Sequence, residues 1–205
     1  MSRFGSRPEE FFGGVYADTP PWDIGGPQPA LLELLRRFPA EGPILDVGCG
    51  SGDLAIALAE AGHSVLGIDF VPAAIERAQE RAAALPPAHR ARVEFRVADA
   101  LHPSRLGRSF GAVVDSGFFH LFDPDDGDRF VDDLARTLAP GGRYYLLAFA
   151  ITFDIPHTPR AVPMAELHER FTPARGWRVL ECGPAEFLSR IAPVPATSAC
   201  IERRG

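Results

Sequence analysis

Short, nearly unbroken apolar runs alternate along this chain with longer segments whose apolar residues recur every three or four positions. That is the pattern of strands and helices taken in turn in an α/β protein. After a Gly-, Pro- and aromatic-rich stretch over residues 1–29, the spacing of Leu31, Leu32, Leu34 and Leu35 predicts a helix over 29–37. Strands are predicted over 43–47, 64–69, 93–97, 110–114 and 144–149, with helices over 53–61, 72–85 and 128–138 between them. Pro72 suits the first turn of its helix, Pro86-Pro87 stops it, and Pro140-Gly141-Gly142 is expected to end the helix before the fifth strand. A Pro-rich loop over 151–163, a helix over 164–171 and strands over 177–181 and 198–202 complete the chain, the last two as an antiparallel closing pair. The expectation is one α/β domain over residues 1–205, with 1–29 as a lid and 151–163 as a loop over the active site.

Composition narrows the chemistry. A net charge of −6 argues against a nucleic-acid partner, which needs a basic surface. All 21 basic residues are arginine, and the absence of lysine removes Walker-type phosphate loops, Schiff-base chemistry and the Tyr-x-x-x-Lys pair of short-chain reductases. No apolar run approaches the ~18 residues of a membrane span, and the N-terminus lacks a signal-peptide pattern. A soluble, cytoplasmic protein is the expectation. Cys49, Cys182 and Cys200 are too widely spaced to suggest a disulfide framework or a zinc site, and are read as free thiols.

The chemistry concentrates after the first strand, in Asp46-Val47-Gly48-Cys49-Gly50-Ser51-Gly52. Glycines between a strand and a helix let the backbone approach a ligand and turn N–H groups toward it. A dinucleotide fingerprint would place glycine where Asp53 stands, and a pyrophosphate would be repelled there. Asp69 ends the second strand, 21 positions after Gly48, where an acid bonds ribose hydroxyls in nucleoside-binding folds. Asp99 follows the third strand, placed to accept from an adenine amino group. Each acid alone is equally a helix cap; the group fits a phosphate-free nucleoside bearing an ammonium.

These residues resemble the glycine loop and strand-end acids of the class I S-adenosylmethionine-dependent methyltransferases. The resemblance implies a Rossmann-like seven-stranded sheet in the order 3-2-1-4-5-7-6, with strand 7 antiparallel and helices on both faces. It implies a cofactor site drawn from Asp46, Gly48, Cys49, Gly50, Gly52, Asp69, Phe70, Asp99, Ala100, Asp115 and Ser116. The segment Trp22-Asp23-Ile24-Gly25-Gly26-Pro27-Gln28-Pro29 is similar to the Trp-Asp-x-Gly-x-x-x-Pro stretch that covers the cofactor in thiol, halide and thiopurine methyltransferases, which adds Trp22 and Gln28. Asp115-Ser116-Gly117-Phe118-Phe119-His120 and Pro159-Arg160-Ala161-Val162 resemble actinobacterial enzymes that methylate heterocyclic toxins such as hydroxyquinolones. The Asp/Asn-Pro-Pro-aromatic motif of DNA amino-methyltransferases is absent, and no asparagine is present to complete a catechol-type magnesium site, so no metal is expected.

Methyl transfer to a small aromatic or heteroaromatic O, N or S atom gains most from alignment in an apolar, water-excluding pocket. Candidate walls are Phe12 and Tyr16 in the lid, Phe118 and Phe119 after the fourth strand, and Phe149 and Phe153 after the fifth; Arg160 is a candidate partner for an anionic acceptor. His120 is the candidate general base, although a histidine there equally caps a helix or shapes the pocket. The alternative to an enzyme is a non-catalytic S-adenosylmethionine-binding sensor.

Overall fold

The computed structural model describes Phe4 and residues 7–205. Five strands, β1 (Ile44–Val47), β2 (Val65–Asp69), β3 (Val93–Val97), β4 (Phe110–Ser116) and β5 (Leu138–Phe149), run parallel. β6 (Trp177–Phe187) and β7 (Val194–Arg203) form a hairpin whose second strand pairs antiparallel with β5. The order is β3-β2-β1-β4-β5-β7-β6, as the family resemblance implies.

Burial explains the arrangement. β1 and β2 are buried at every position, as parallel strands covered on both faces must be. Successive side chains feed opposite cores: Leu45, Ile68 and Tyr144 pack against α6 (Pro124–Thr137) and α7 (Met164–Arg170). Ile44, Val65 and Tyr145 pack against α2 (Pro29–Arg37), α3 (Asp53–Glu60) and α4 (Pro72–Ala83). The chain winds outward from β1 to β2 and β3, then returns to β4 on the other side of β1. Ligands of open α/β sheets bind at that reversal, outside the carboxyl ends of the strands.

Several boundaries differ from expectation. The lid contains a helix, α1 (Pro8–Val15), which Gly13-Gly14 masks in the sequence. α6 starts at Pro124 rather than 128, because Asp123-Pro124 supplies an extended N-cap residue followed by proline at N1. Pro140-Gly141-Gly142 does not separate helix from strand; β5 pairs Leu138 with Phe110 and then Arg143 with Ala112, so residues 139–142 bulge from the strand. β6 and β7 run well past 177–181 and 198–202, since Pro184 and Pro195 sit within the hairpin where breakers are expected. β6 is an edge strand, where proline is tolerated. The lid expected over 1–29 includes residues 1–3, 5 and 6, which lie outside the described residues.

Candidate active site

A cavity of about 550 Å³ opens at the carboxyl ends of β1, β2, β4 and β5. Small-molecule sites span ~300–1,000 Å³. Its floor is the loop after β1. Gly48 and Gly50 have φ of 64° and 53°, and a Cβ on either would strike a cavity wall, 2.7 Å from the Phe118 ring or 2.6 Å from the Tyr16 hydroxyl. Glycine therefore lets both aromatics close onto the loop. Asp69 knits the floor together: its Oδ2 accepts the Gly50 N–H at 3.0 Å and its Oδ1 the Val71 N–H at 2.9 Å. Contrary to expectation, the Gly50 N–H is thus spent inside the protein. Burial holds the Asp69 carboxyl above its ordinary range, opposed by these backbone donors.

Asp46 lines the same cavity. It is buried, and among the described residues its Oδ2 has no hydrogen-bond partner. Burial, then the charges of Asp115 and Asp69, push its carboxyl well up. A buried carboxylate oxygen left unmet beside a cavity is costly until a donor arrives, and a cationic donor satisfies it best. Asp53, by contrast, is neutralised by Arg81 at 2.6 Å.

Three strips of chain close the opening. The first is the N-terminal segment, with Phe12, Tyr16 and Trp22 in edge contact. Burial and the charge of Asp69 raise the Tyr16 hydroxyl's pKa, so it stays protonated. The second is the 151–163 loop, from which Phe153 stacks edge-on against Phe149. The third is the tip of the β6–β7 hairpin, residues 188–193, which pairs with the first. Gln28 donates to the Leu188 carbonyl at 2.9 Å and accepts the Leu188 N–H at 2.8 Å, while the Arg190 N–H bonds the Pro21 carbonyl.

His120 stands on a 3₁₀ turn (Phe119–Leu121) after β4, nearly buried, with its ring 4.4 Å from that of Phe149. Its Nδ1 accepts the Phe149 N–H at 3.1 Å.

Fifteen of the sequence-predicted site residues line the cavity: Phe12, Tyr16, Trp22, Gln28, Asp46, Gly48, Cys49, Gly50, Asp69, Phe70, Ser116, Phe118, His120, Phe149 and Phe153. Six do not. Gly52 is the left-handed N-cap of α3, backed onto Phe95. Asp99 is exposed, accepts the Leu101 N–H and faces Arg105 at 3.6 Å, so it caps its own turn; Ala100 is in the core. Asp115 is fully buried behind the site, where it accepts the amides of Phe118 and Phe119 and the Tyr144 hydroxyl. Phe119 packs into the α6 core. Arg160 is held by Glu166 and the Phe122 carbonyl, stacked on Phe119, and is not available to an acceptor in the cavity. The sequence reading missed Asp23, Phe187 and the hairpin tip. The first sits inside the recognised Trp-Asp stretch; the others come into place only through the long β6–β7 pairing.

Three comparisons bear on this geometry. A family model described as a methyltransferase domain matches residues 44–142, the segment that carries the glycine loop and β1–β4. The 2-heptyl-1-hydroxyquinolin-4(1H)-one methyltransferase of Mycobacteroides abscessus is 33% identical over 185 residues, covering 90% of this chain and 78% of that protein. The chain belongs to the class I S-adenosylmethionine-dependent methyltransferases.

This methyltransferase is also 27% identical over 158 residues to a probable thiol methyltransferase of Arabidopsis thaliana, covering 77% of the chain and 69% of the relative. A structure solved in work on the conversion of a disulfide bond into a thioacetal group during echinomycin biosynthesis superposes with a TM-score of 0.81 at 30% identity. It covers 96% of this chain and 93% of that one. The cofactor of the methyltransferase is S-adenosylmethionine, and the unmet Asp46 oxygen is a feature of this cavity that suits its ammonium.

Proposed function

We propose that this methyltransferase moves a methyl group to an O, N or S atom of a small aromatic or heteroaromatic molecule that carries an apolar substituent. The observation that carries the reading is the division of one cavity into an acidic floor and an aromatic wall. S-adenosylmethionine, when bound, supplies an electrophilic methyl carbon on a sulfonium. On the floor, Asp46 would hold its ammonium, Asp69 its ribose hydroxyls, and Phe70 and Val71 would flank its adenine. Tyr16 and Trp22 cover that end. On the other side, Phe118, Phe149, Phe153 and Phe187 would sandwich a flat ring and exclude water, which favours a reaction in which opposite charges neutralise.

The mouth supports the apolar substituent. Ile151, Ile155 and Ile191, at 38%, 62% and 85% exposure, all border the cavity. Exposed isoleucines gathered on one rim give a chain leaving the pocket an apolar surface to lie on. The M. abscessus relative acts on a ring bearing a heptyl chain. The test is incubation with methyl-labelled cofactor and a panel of hydroxyquinolones, phenols and thiols, locating the label in each product. Labelled ring acceptors are expected; label confined to aliphatic thiols, or none at all, would contradict the proposal.

A further inference from the structure

Gln28 is the N-cap residue of α2, but its side chain makes no capping bond to that helix. Nearly buried, it crosses instead to the base of the hairpin tip, where its Oε1 accepts the Leu188 N–H at 2.8 Å and its Nε2 donates to the Leu188 carbonyl at 2.9 Å. A primary amide that meets both backbone groups of one residue holds it as a paired strand would. One position earlier stands Phe187, the last residue of β6, paired with Val194. The ladder ends at that pair, and Gln28 grips the residue just beyond it. The Phe187 ring is buried and borders the cavity, 5.1 Å from the Phe149 ring at 87° and 6.1 Å from the His120 ring. It also lies directly on backbone, since a Cβ on Gly117 would stand 3.0 Å from it. Phe187 therefore touches the chain at the carboxyl ends of both β4 and β5, which frame the acceptor side of the cavity.

Resting on the reading of the cavity as an aromatic-acceptor site, we propose that Gln28 is a positioning residue for the acceptor: by clamping Leu188 it sets the place of Phe187 in the acceptor wall. Trp22, in the same N-terminal segment, covers the cofactor end of the cavity. The cover of one reactant and the wall of the other are therefore one body, joined also by the Arg190 N–H on the Pro21 carbonyl. Alignment of the acceptor then depends on the cofactor's cover being in place. A reacting ring misplaced by about 1 Å loses on the order of a hundredfold in rate, so a wall that shifts with the clamp is felt in turnover. Gln28 itself moves no proton and bonds no reacting atom. Were it a cofactor ligand alone, its loss would leave Phe187 and the acceptor untouched.

The test compares wild type with Gln28→Met, Phe187→Leu and the double variant. Gln28→Met keeps a side chain of similar length and removes both bonds to Leu188. With a 1-hydroxyquinolin-4-one as acceptor, each single variant should raise the acceptor KM about tenfold, while S-adenosylhomocysteine affinity by calorimetry stays within about threefold of wild type. In the Phe187→Leu background, Gln28→Met should add less than about twofold, because the clamp then has no ring to place. Additive losses, or cofactor affinity that falls as far as the acceptor KM rises, would overturn the proposal. Phe187→Leu leaves the clamp intact, so an unchanged acceptor KM in that variant would overturn it even if Gln28→Met failed to fold. A second arm needs no turnover. In protein carrying 4-fluorophenylalanine, the Phe187 signal, assigned through Phe187→Leu, should shift in Gln28→Met while those of Phe122 and Phe130 in the α6 core hold. An unmoved Phe187 signal would overturn the proposal whatever the substrate. Absence of turnover across the acceptor panel would overturn the proposed function, and with it the acceptor's place at this wall, while the fluorine arm still decided the clamp.

Discussion

At the scale of single residues, three aspartates that look alike in sequence act differently because their surroundings differ. Asp69 is chained to the glycine loop by the Gly50 N–H and to its own turn by the Val71 N–H. Asp69→Ala should weaken S-adenosylmethionine binding by roughly 1.5–3 kcal/mol, the usual loss for a hydrogen bond to a charged group. Titration calorimetry reads it, and unchanged affinity in the folded variant would remove the ribose role. Asp115 serves the scaffold. Burial pushes its carboxyl up to about 7, although Tyr144 and the backbone donors lower it. Below about pH 4, folded and unfolded chains both hold this proton, and its contribution to stability is fully present. Between about 4 and 7 only the unfolded chain releases it, so the contribution is lost as pH rises toward the folded value. Asp115→Asn cannot titrate. The stability of wild type relative to this variant should therefore fall by a few kcal/mol from pH 4.5 to 7.5, measured by denaturant unfolding. A constant difference would show that Asp115 is not held neutral. No spacing rule separates these roles: Asp69, Asp99 and Asp115 each stand at or just beyond the end of a strand, and only packing shows that Asp99 faces solvent and Asp115 the α6 side.

At the scale of elements, the parallel half of the sheet was legible because β1, β2 and β4 read as short, mostly apolar runs that each carry an aspartate at or near the carboxyl end. The hairpin was legible only at its centre, since prolines that would break an inner strand sit here on and beside an edge. That gap hid a third of the site's closure. The sequence marks residues 1–29 as a lid and 151–163 as a loop over the site, whereas Gln28 and Pro21 join the N-terminal segment to the hairpin tip. The two strips should accordingly move together. Hydrogen exchange across residues 11–29 and 188–193 should slow in both when cofactor binds. Gln28→Ala should speed exchange in both without cofactor, because two bonds of about 1 kcal/mol each are lost. Protection that changes in one strip alone would show that the lid is the N-terminal segment only.

At the scale of the whole molecule, the fold brings an acidic floor, an aromatic wall and an apolar rim to one end of the sheet, contributed by chain as distant as Phe12 and Ile191. The rim predicts a dependence on substituent length. With ~0.8 kcal/mol per fully buried methylene as the ceiling, a heptyl-bearing ring should bind at least tenfold more tightly than its methyl analogue. Ile191→Ser should reduce that advantage, and affinity independent of chain length would assign the rim no role. The most direct test of the central claim, that one cavity holds both reactants on opposite walls, is a crystal structure with S-adenosylhomocysteine and a 1-hydroxyquinolin-4-one. The account predicts the amino group at Asp46, the ribose at Asp69 and the ring among Phe118, Phe149 and Phe153. A ring bound outside these phenylalanines, or a nucleoside that leaves Asp46 and Asp69 untouched, would contradict it.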